Sequence, residues 1–339
     1  MNPSPERAPL VRDRGAVIVT ARAAEVVSLR VLLDSVDPAV ARAWVVLQNV
    51  APGSTDWLAA HPSVARVITT GLVPLSHARN LALHEIFAAA TAPNDAWDPT
   101  FVGFPDADGR YAPGALATVH AALGDGVDIV IGRYGPAADQ FDPVRFPATP
   151  GPIDWSIVRQ RATSVTLFVS GRAALDLGYV MPYLGLGTPW PAGEDVEFAL
   201  RALRRGYTGR YEPKAVTYHP YGTELDPARR PVRYLLAAAY PPPGGSTVVR
   251  SVRRLLSGPS VPASDDRPTT SPGATAPKSN GSTGLGASAE VRAALKGVQP
   301  SVVRRLRHFA SATPSEQWTL VQRDGITGSP TDAHESGGA

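Results

Sequence analysis

Two carboxylates placed two residues apart are the first residues in this chain whose types and spacing suggest chemistry. In "FVGFPDADGRYAP", residues 101–113, an apolar run ends in Asp106 and Asp108, with Gly109 behind them. Like charges at the end of a buried strand repel each other and cost desolvation. A divalent cation carrying a phosphate would offset that cost, because Mg²⁺ or Mn²⁺ takes one or two protein carboxylates together with phosphate oxygens. A solvated Asp-rich turn accounts for the same residues without chemistry. "AGEDVEFALR", 192–201, sets Glu194 and Asp195 at the start of a helix, where a carboxylate is either a general base or an ordinary first-turn acid. "LSHARNLAL", 75–83, puts Arg79 in the first turn of another helix, able to hold a phosphate or simply to face solvent. His219 in "VTYHPYG" ends a strand, where histidine ligates metal, contacts phosphate or is structural.

Elements that alternate between strand and helix must position these groups. Apolar, β-rich runs predict strands at 16–20, 44–48, 64–69, 101–104, 128–134 and 214–220. Helical spacing predicts helices over 25–36, over 76–90 with Ser76 as N-cap, over 113–123 with Pro113 in the first turn, and over 193–207. Residues 135–163 are Pro-rich without a clean period and read as a long excursion; 164–178 return to strand and helix. The expected fold is α/β, a doubly wound, mostly parallel sheet with helices on both faces. Ligands of such sheets sit at the carboxyl ends of the strands, where Asp106 and Asp108 fall. The expected organisation is a disordered N-terminus over 1–14, a compact domain over 15–240, and a largely disordered tail over 241–339 with short amphipathic helices.

The order of these motifs is more specific than any one of them. A parallel strand, S-x-A-R-N on a helix, F-x-D-x-D, G-E-D opening a helix, then a strand ending in His resembles the family 2 glycosyltransferases. These are inverting, nucleotide-sugar-dependent enzymes of the GT-A group, and the resemblance covers about residues 15–222. It implies that Thr20, in "IVTAR", touches the nucleotide and that Arg79 lies near base and phosphates. Asp106 would lie near the ribose, and Asp108 would ligate Mg²⁺ or Mn²⁺, with His219 completing the metal site. Asp195 would be the catalytic base, with Glu194 beside it on the acceptor side. Trp190, in "GTPWPAGED", would offer an apolar platform to a sugar face. One stretch departs from the pattern: "VVLQNVAPGSTDW", 45–57, has Gln48 and Asn49 where the family usually has an acid. Asn49 is expected to meet the base, since its amide both donates and accepts.

The resemblance implies transfer of a sugar from a nucleoside-diphosphate sugar to a hydroxyl acceptor, lipid-linked ones included, in polysaccharide, glycoconjugate or cell-envelope synthesis. Two other classes stay open. A nucleotidyltransferase also uses paired Asp with Mg²⁺, but "TARAAEVVS" after the first strand lacks the expected glycines. A non-catalytic nucleotide-sugar-binding protein would keep the fold without the reaction.

Bulk composition narrows the partners. The chain of 339 residues has no cysteine, which excludes disulfides, thiolate metal sites and a cysteine nucleophile. Its opening residues are polar and Pro-rich, which predicts no signal peptide. No apolar run reaches the roughly 20 residues that span a bilayer. The expected location is cytoplasmic. Residues 1–240 carry 22 Lys/Arg against 23 Asp/Glu, whereas 241–310 carry 10 against 3. The near-neutral domain predicts no nucleic acid partner. The basic tail, with apolar stripes over 246–258 and at Val302, Val303 and Leu306, predicts peripheral contact with an anionic membrane surface.

Overall fold

Side chains that alternate between two buried faces build the sheet that carries the site. The computed structural model describes residues 14–91, 99–220 and 300–325, together with Val232, Leu235, Leu236, Ala239 and Tyr240. The strands are β1 (Gly15–Arg22), β2 (Ala41–Gln48), β3 (Val64–Thr70), β4 (Phe101–Gly103), β5 (Arg110–Tyr111), β6 (Ile129–Gly135), β7 (Gly151–Pro152), β8 (Leu167–Ser170) and β9 (Gly209–Tyr218). The helices are α1 (Val26–Asp34), α2 (Leu75–Ala90), α3 (Ala115–Gly124), α4 (Trp155–Arg161), α5 (Gly171–Leu177), α6 (Glu194–Arg204), α7 (Pro300–Ser311) and α8 (Pro314–Gly325).

The sheet order is β3-β2-β1-β4-β8-β6-β9-β5, with β7 also on β9. Strands β1, β2, β3, β4, β6 and β9 run one way. Strand β8 is reversed between β4 and β6, and β5 and β7 are reversed on β9. Ile18, Trp44, Val46, Ile129 and Ile131 pack toward α2, α5 and α6, while Val17, Val19, Val45, Leu47 and Val130 pack toward α1 and α3. The period of two thus sends successive side chains into two cores. A sheet covered on both faces needs apolar residues at every position, which is why these strands read as continuous apolar runs. The α/β, doubly wound, mostly parallel fold with helices on both faces is the fold observed.

Several local expectations differ from the structure. Helix α2 begins at Leu75 with Pro74 as its N-cap, and Ser76 is buried inside the first turn. Helix α3 begins at Ala115 after Gly114, so Pro113 precedes it. The excursion over 135–163 contains β7 and α4, whose N-cap Asp154 accepts from Ile157 N at 2.8 Å. Strand β9 starts at Gly209, well before the expected 214. Pro213 lacks an N–H, and there the pairing with β6 skips: Tyr211 pairs with Ile131, then Val216 with Arg133. The extra residues form a bulge that hides the period. Gly132 faces the bulge, since a Cβ there would lie 2.1 Å from Ala215 O.

The C-terminal expectation needs the larger correction. Residues 314–325, expected to lack structure, form α8, and α7 precedes it. Val303, Leu306, Phe309 and Val321 are buried in the same core as α2 and α6. The Val303–Leu306 stripe expected at a membrane surface is therefore consumed by packing on the domain. The other stripe, over 246–258, lies outside the described residues, as does the expected N-terminal segment 1–13. Composition conceals the docking because much of it is polar. Gln317, fully buried, accepts from Tyr179 N at 2.8 Å and donates to Phe309 O and Ala312 O. Trp318 stacks on His84 with ring centroids 3.9 Å apart, and Tyr183 donates to Asp324. Among the described residues no helix is long and apolar enough to cross a membrane.

Replacing Gln317 strands three buried backbone groups, and each unsatisfied group costs about 1–3 kcal/mol. Gln317→Ala is expected to lower the unfolding free energy by about 2–4 kcal/mol in urea titration. An unchanged midpoint would contradict the docking of α8.

Candidate functional site

Asp106 and Asp108 lie past the end of β4, in a turn closed by Gly109 N donating to Asp106 O at 2.9 Å. The turn brings them together, and both face His219, the first residue after β9. His219 Nε2 is 3.1 Å from Asp108 Oδ1 and 3.7 Å from Asp106 Oδ2. Its Nδ1–H donates to Pro220 O at 2.7 Å, since a carbonyl can only accept. Nε2 is therefore the nitrogen aimed at the two acids. Ser164 donates to Asp106 Oδ2 at 3.2 Å.

Arg79 ties this turn to the opening of α6. Its guanidinium, 3% exposed, donates from Nη1 to Glu194 Oε1 at 2.8 Å and from Nη2 to Asp106 Oδ1 at 3.3 Å. The residue lies one turn into α2 and is committed to two carboxylates, not open to solvent. Burial raises the Asp106 pKa, and Arg79, His219 and Ser164 pull it back down. The Asp106 side chain still keeps 38% of its exposure, so its desolvation is incomplete.

Glycine decides the entry to α6. Gly193, the N-cap, has φ 87° and packs so closely that a Cβ would lie 2.7 Å from a Val232 methyl. Only glycine meets both demands. Glu194 is then buried against Arg79, and Asp195 stands half-buried beside it. Asp195 Oδ1 accepts from Val196 N at 2.7 Å. Its pKa is pushed up to about 7, first by burial and then by the Glu194 carboxylate; the Val196 N–H and Arg79 oppose the rise. A carboxyl titrating near neutrality is poised to accept a proton.

The remaining expected residues lie around this cluster. Thr20 is half-buried at the carboxyl end of β1, paired in register with Val46. It is three residues beyond Val17, and Asp106 three beyond Gly103, the register partner of Val17, so both reach the same sheet edge. Asn49 follows β2 with φ 51°, exposed, its N–H on Thr70 O at 3.0 Å. Its neighbour Gln48 is buried and accepts from Val73 N at 3.0 Å, a structural duty. Trp190 is half-buried, and its backbone O holds the 185–192 loop through Gly185 N, Ala192 N and the Thr188 hydroxyl. The structure thus brings together Arg79, Asp106, Asp108, Glu194, Asp195 and His219. No described hydrogen bond or ion pair joins Thr20, Asn49 or Trp190 to them. Ser164 and Tyr134, whose ring centroid is 6.0 Å from His219, belong to the cluster and escaped the sequence reading. Neither sits in a local motif.

Among the described residues no group of three or more His, Asp or Glu side chains forms a ready metal cage. Two carboxylates and an imidazole nitrogen are nonetheless donors that suit Mg²⁺ or Mn²⁺ when phosphate oxygens supply the other ligands. The donor set fits the cation, with the substrate needed to complete it.

No family model matches this chain, and no curated protein matches it. Among solved structures, S. aureus TarS 1–349 in complex with UDP aligns with a TM-score of 0.48 and 15% identity, covering 67% of this chain and 65% of that one. The same protein in complex with UDP-GlcNAc aligns at 0.48 and 13%, covering 94% and 82%. Glucosyl-3-phosphoglycerate synthase from Mycobacterium tuberculosis, in complex with Mn²⁺, UDP and glucosyl-3-phosphoglycerate, aligns at 0.43 and 15%, covering 66% and 79%.

Removing Arg79 would leave Glu194 buried without a counter-charge. Breaking a buried pair from one side costs about 3–5 kcal/mol. Arg79→Leu is expected to lower stability on that scale in urea titration. A variant as stable as the parent would mean that the guanidinium does not hold these carboxylates.

Proposed function

We propose that this protein is a metal-dependent, inverting glycosyltransferase that moves a sugar from a nucleoside-diphosphate sugar to a hydroxyl acceptor. The observation that carries the reading is the separation of two acid groups at one sheet edge. Asp106 and Asp108 face His219, while Asp195 stands beside Glu194 and is pushed up to about 7 by burial and that carboxylate. One group suits a cation and a diphosphate; the other suits a proton.

In this reading Asp108 and His219 hold Mg²⁺ or Mn²⁺, and Asp106 borders the nucleotide ribose. A bound cation would supply charge neutralisation for the departing diphosphate. Thr20 and Asn49 line the nucleotide side of the edge. Arg79 acts through the carboxylates it holds, fixing Asp106 toward the donor and Glu194 behind the base. Asp195 accepts the proton of the acceptor hydroxyl as that oxygen bonds to the anomeric carbon. The bond from that carbon to the diphosphate oxygen breaks, and the nucleoside diphosphate leaves with the electron pair. A single displacement inverts the configuration. Trp190 and Glu194 lie on the acceptor side.

Metal dependence follows directly. Nucleotide-sugar turnover is expected to stop in EDTA and to return with Mn²⁺ or Mg²⁺. Asp108→Asn is expected to abolish turnover with its melting temperature retained, and full activity in EDTA would reject the reading.

The base makes a second prediction. Asp195 must be ionised to accept a proton, so kcat/KM is expected to rise with pH through about 7 and to fall below it. Asp195→Asn is expected to lose about 10² or more of the transfer rate, the scale of general-base catalysis, while still binding donor. Normal transfer by that variant, or a product with retained configuration, would remove Asp195 from the mechanism.

A further inference from the structure

Among the described residues, three arginines beside the His219 edge have no acidic partner. Arg133 on β6, Arg145 in the 136–150 segment and Arg161 at the end of α4 are each half-buried. Some arginines of the domain pair with acids, Arg172 with Asp128, Arg205 with Asp176 and Arg210 with Asp125, while Arg42 and Arg159 donate to backbone carbonyls. Glu212, which neighbours this group, is taken by Arg210 and by Lys214 N. Asp142 caps the backbone N–H groups of Val144 and Arg145. Among the described residues no carboxylate forms an ion pair with any of the three.

Aromatic rings hold the three guanidiniums in place of acids. Arg133 lies over Phe141 at 4.0 Å, Arg161 over Tyr211 at 4.5 Å, and Arg145 over Tyr134 and Phe146 at 5.3 and 4.9 Å. Arg145 donates to Gln160 O at 2.8 Å and to the Tyr134 hydroxyl at 3.1 Å. The Nε–H groups of Arg133 and Arg161 are buried and have no partner. A guanidinium has five donors, so most donors of this group are uncommitted. The three converge on common neighbours. Tyr211 is next to Arg161 and donates to Pro147 O, and Gln160 links Arg145 to the residue before Arg161. Strand register sets Tyr211 beside Ile131, two residues before Arg133 on β6, and the positive charges of Arg161 and Arg133 counter the rise to about 12 that burial imposes on the Tyr211 phenol. Tyr134 then connects the group to His219, with ring centroids 6.0 Å apart.

Stacked, unpaired guanidiniums with free forks recognise oxyanions by bidentate hydrogen bonds. Three of them exceed what one carboxylate can occupy and match a phosphate monoester. We propose that Arg133, Arg145 and Arg161 form a phosphate-binding site for the acceptor, so that the hydroxyl compound receiving the sugar carries a phosphate group. Assigning that phosphate to the acceptor rests on the glycosyl-transfer reading; the anion site rests on the arginines alone.

Inorganic phosphate is the probe, titrated calorimetrically into the full-length chain. Binding is expected, and it is expected to persist with Mn²⁺ and saturating UDP present, because the donor diphosphate sits elsewhere. Arg133→Gln, Arg145→Gln and Arg161→Gln are each expected to weaken it at least tenfold, about the loss of one charge-assisted contact. Arg133→Lys keeps the charge and is expected to recover part of the affinity. Arg172→Gln changes the net charge equally, at an exposed arginine, and is expected to leave the affinity unchanged. No binding, or binding indifferent to the three arginines, overturns the site. Displacement of phosphate by UDP overturns its assignment to the acceptor, because the arginines would then serve the donor. Failure of the catalytic reading shows separately, as a lack of nucleotide-sugar turnover in the parent chain.

Discussion

The Arg79 guanidinium, sealed between Glu194 and Asp106, is the contact on which the site depends. It joins three parts of the chain that are remote in sequence: an early turn of α2, the turn after β4 and the first residue of α6. A buried cation is tolerable only when its donors are met, and here two carboxylates meet them. Each carboxylate is in turn held in one orientation. Glu194 cannot swing away without breaking its 2.8 Å contact with Arg79. Its fixed negative charge therefore stays beside Asp195 and raises the proton affinity of that acid. A structural ion pair thus adds to the effect of burial on the protonation of a neighbour that takes no part in the pair.

The second constraint is the demand for glycine before α6. A left-handed N-cap against Val232 fixes where the helix begins, and so where Glu194 and Asp195 stand. Val232 shares the core with Tyr240, which donates to Glu197, and Glu197 pairs with Arg201 at 3.1 Å. The placement of Glu194 and Asp195 and the packing of the core therefore share the same few residues.

Much of this was legible in the sequence, for identifiable reasons. The strands β1, β2 and β6 are buried on both faces, so little interrupts their apolar runs. Asp106, Asp108, Asp195 and His219 lie beside turns or helix starts, where local chemistry marks them. Other features left no local trace. The bulge at Pro213 broke the period of β9. Helix α8 docks through Gln317 and Trp318 in a segment too polar to advertise a buried face. Arg79 read as a donor contact because a sequence does not reveal that two acids, 27 and 115 residues further on, converge on it. Arg133, Arg145 and Arg161 gather only when the excursion folds back on the sheet.

Helix α8 also bears on the order in which the molecule assembles. Gln317 meets Tyr179 across 138 residues, and Tyr183 meets Asp324 across 141. Contacts of such span form only after a large loss of chain entropy, so they come late in folding. The segment they hold, Tyr179 to Leu184, leads directly into the loop that ends at Gly193. During synthesis the strands and Arg79 emerge first, and the segment from Tyr179 to Leu184 waits for α8. A nascent or clipped molecule without α8 would present a formed sheet edge with a loose 179–184 segment.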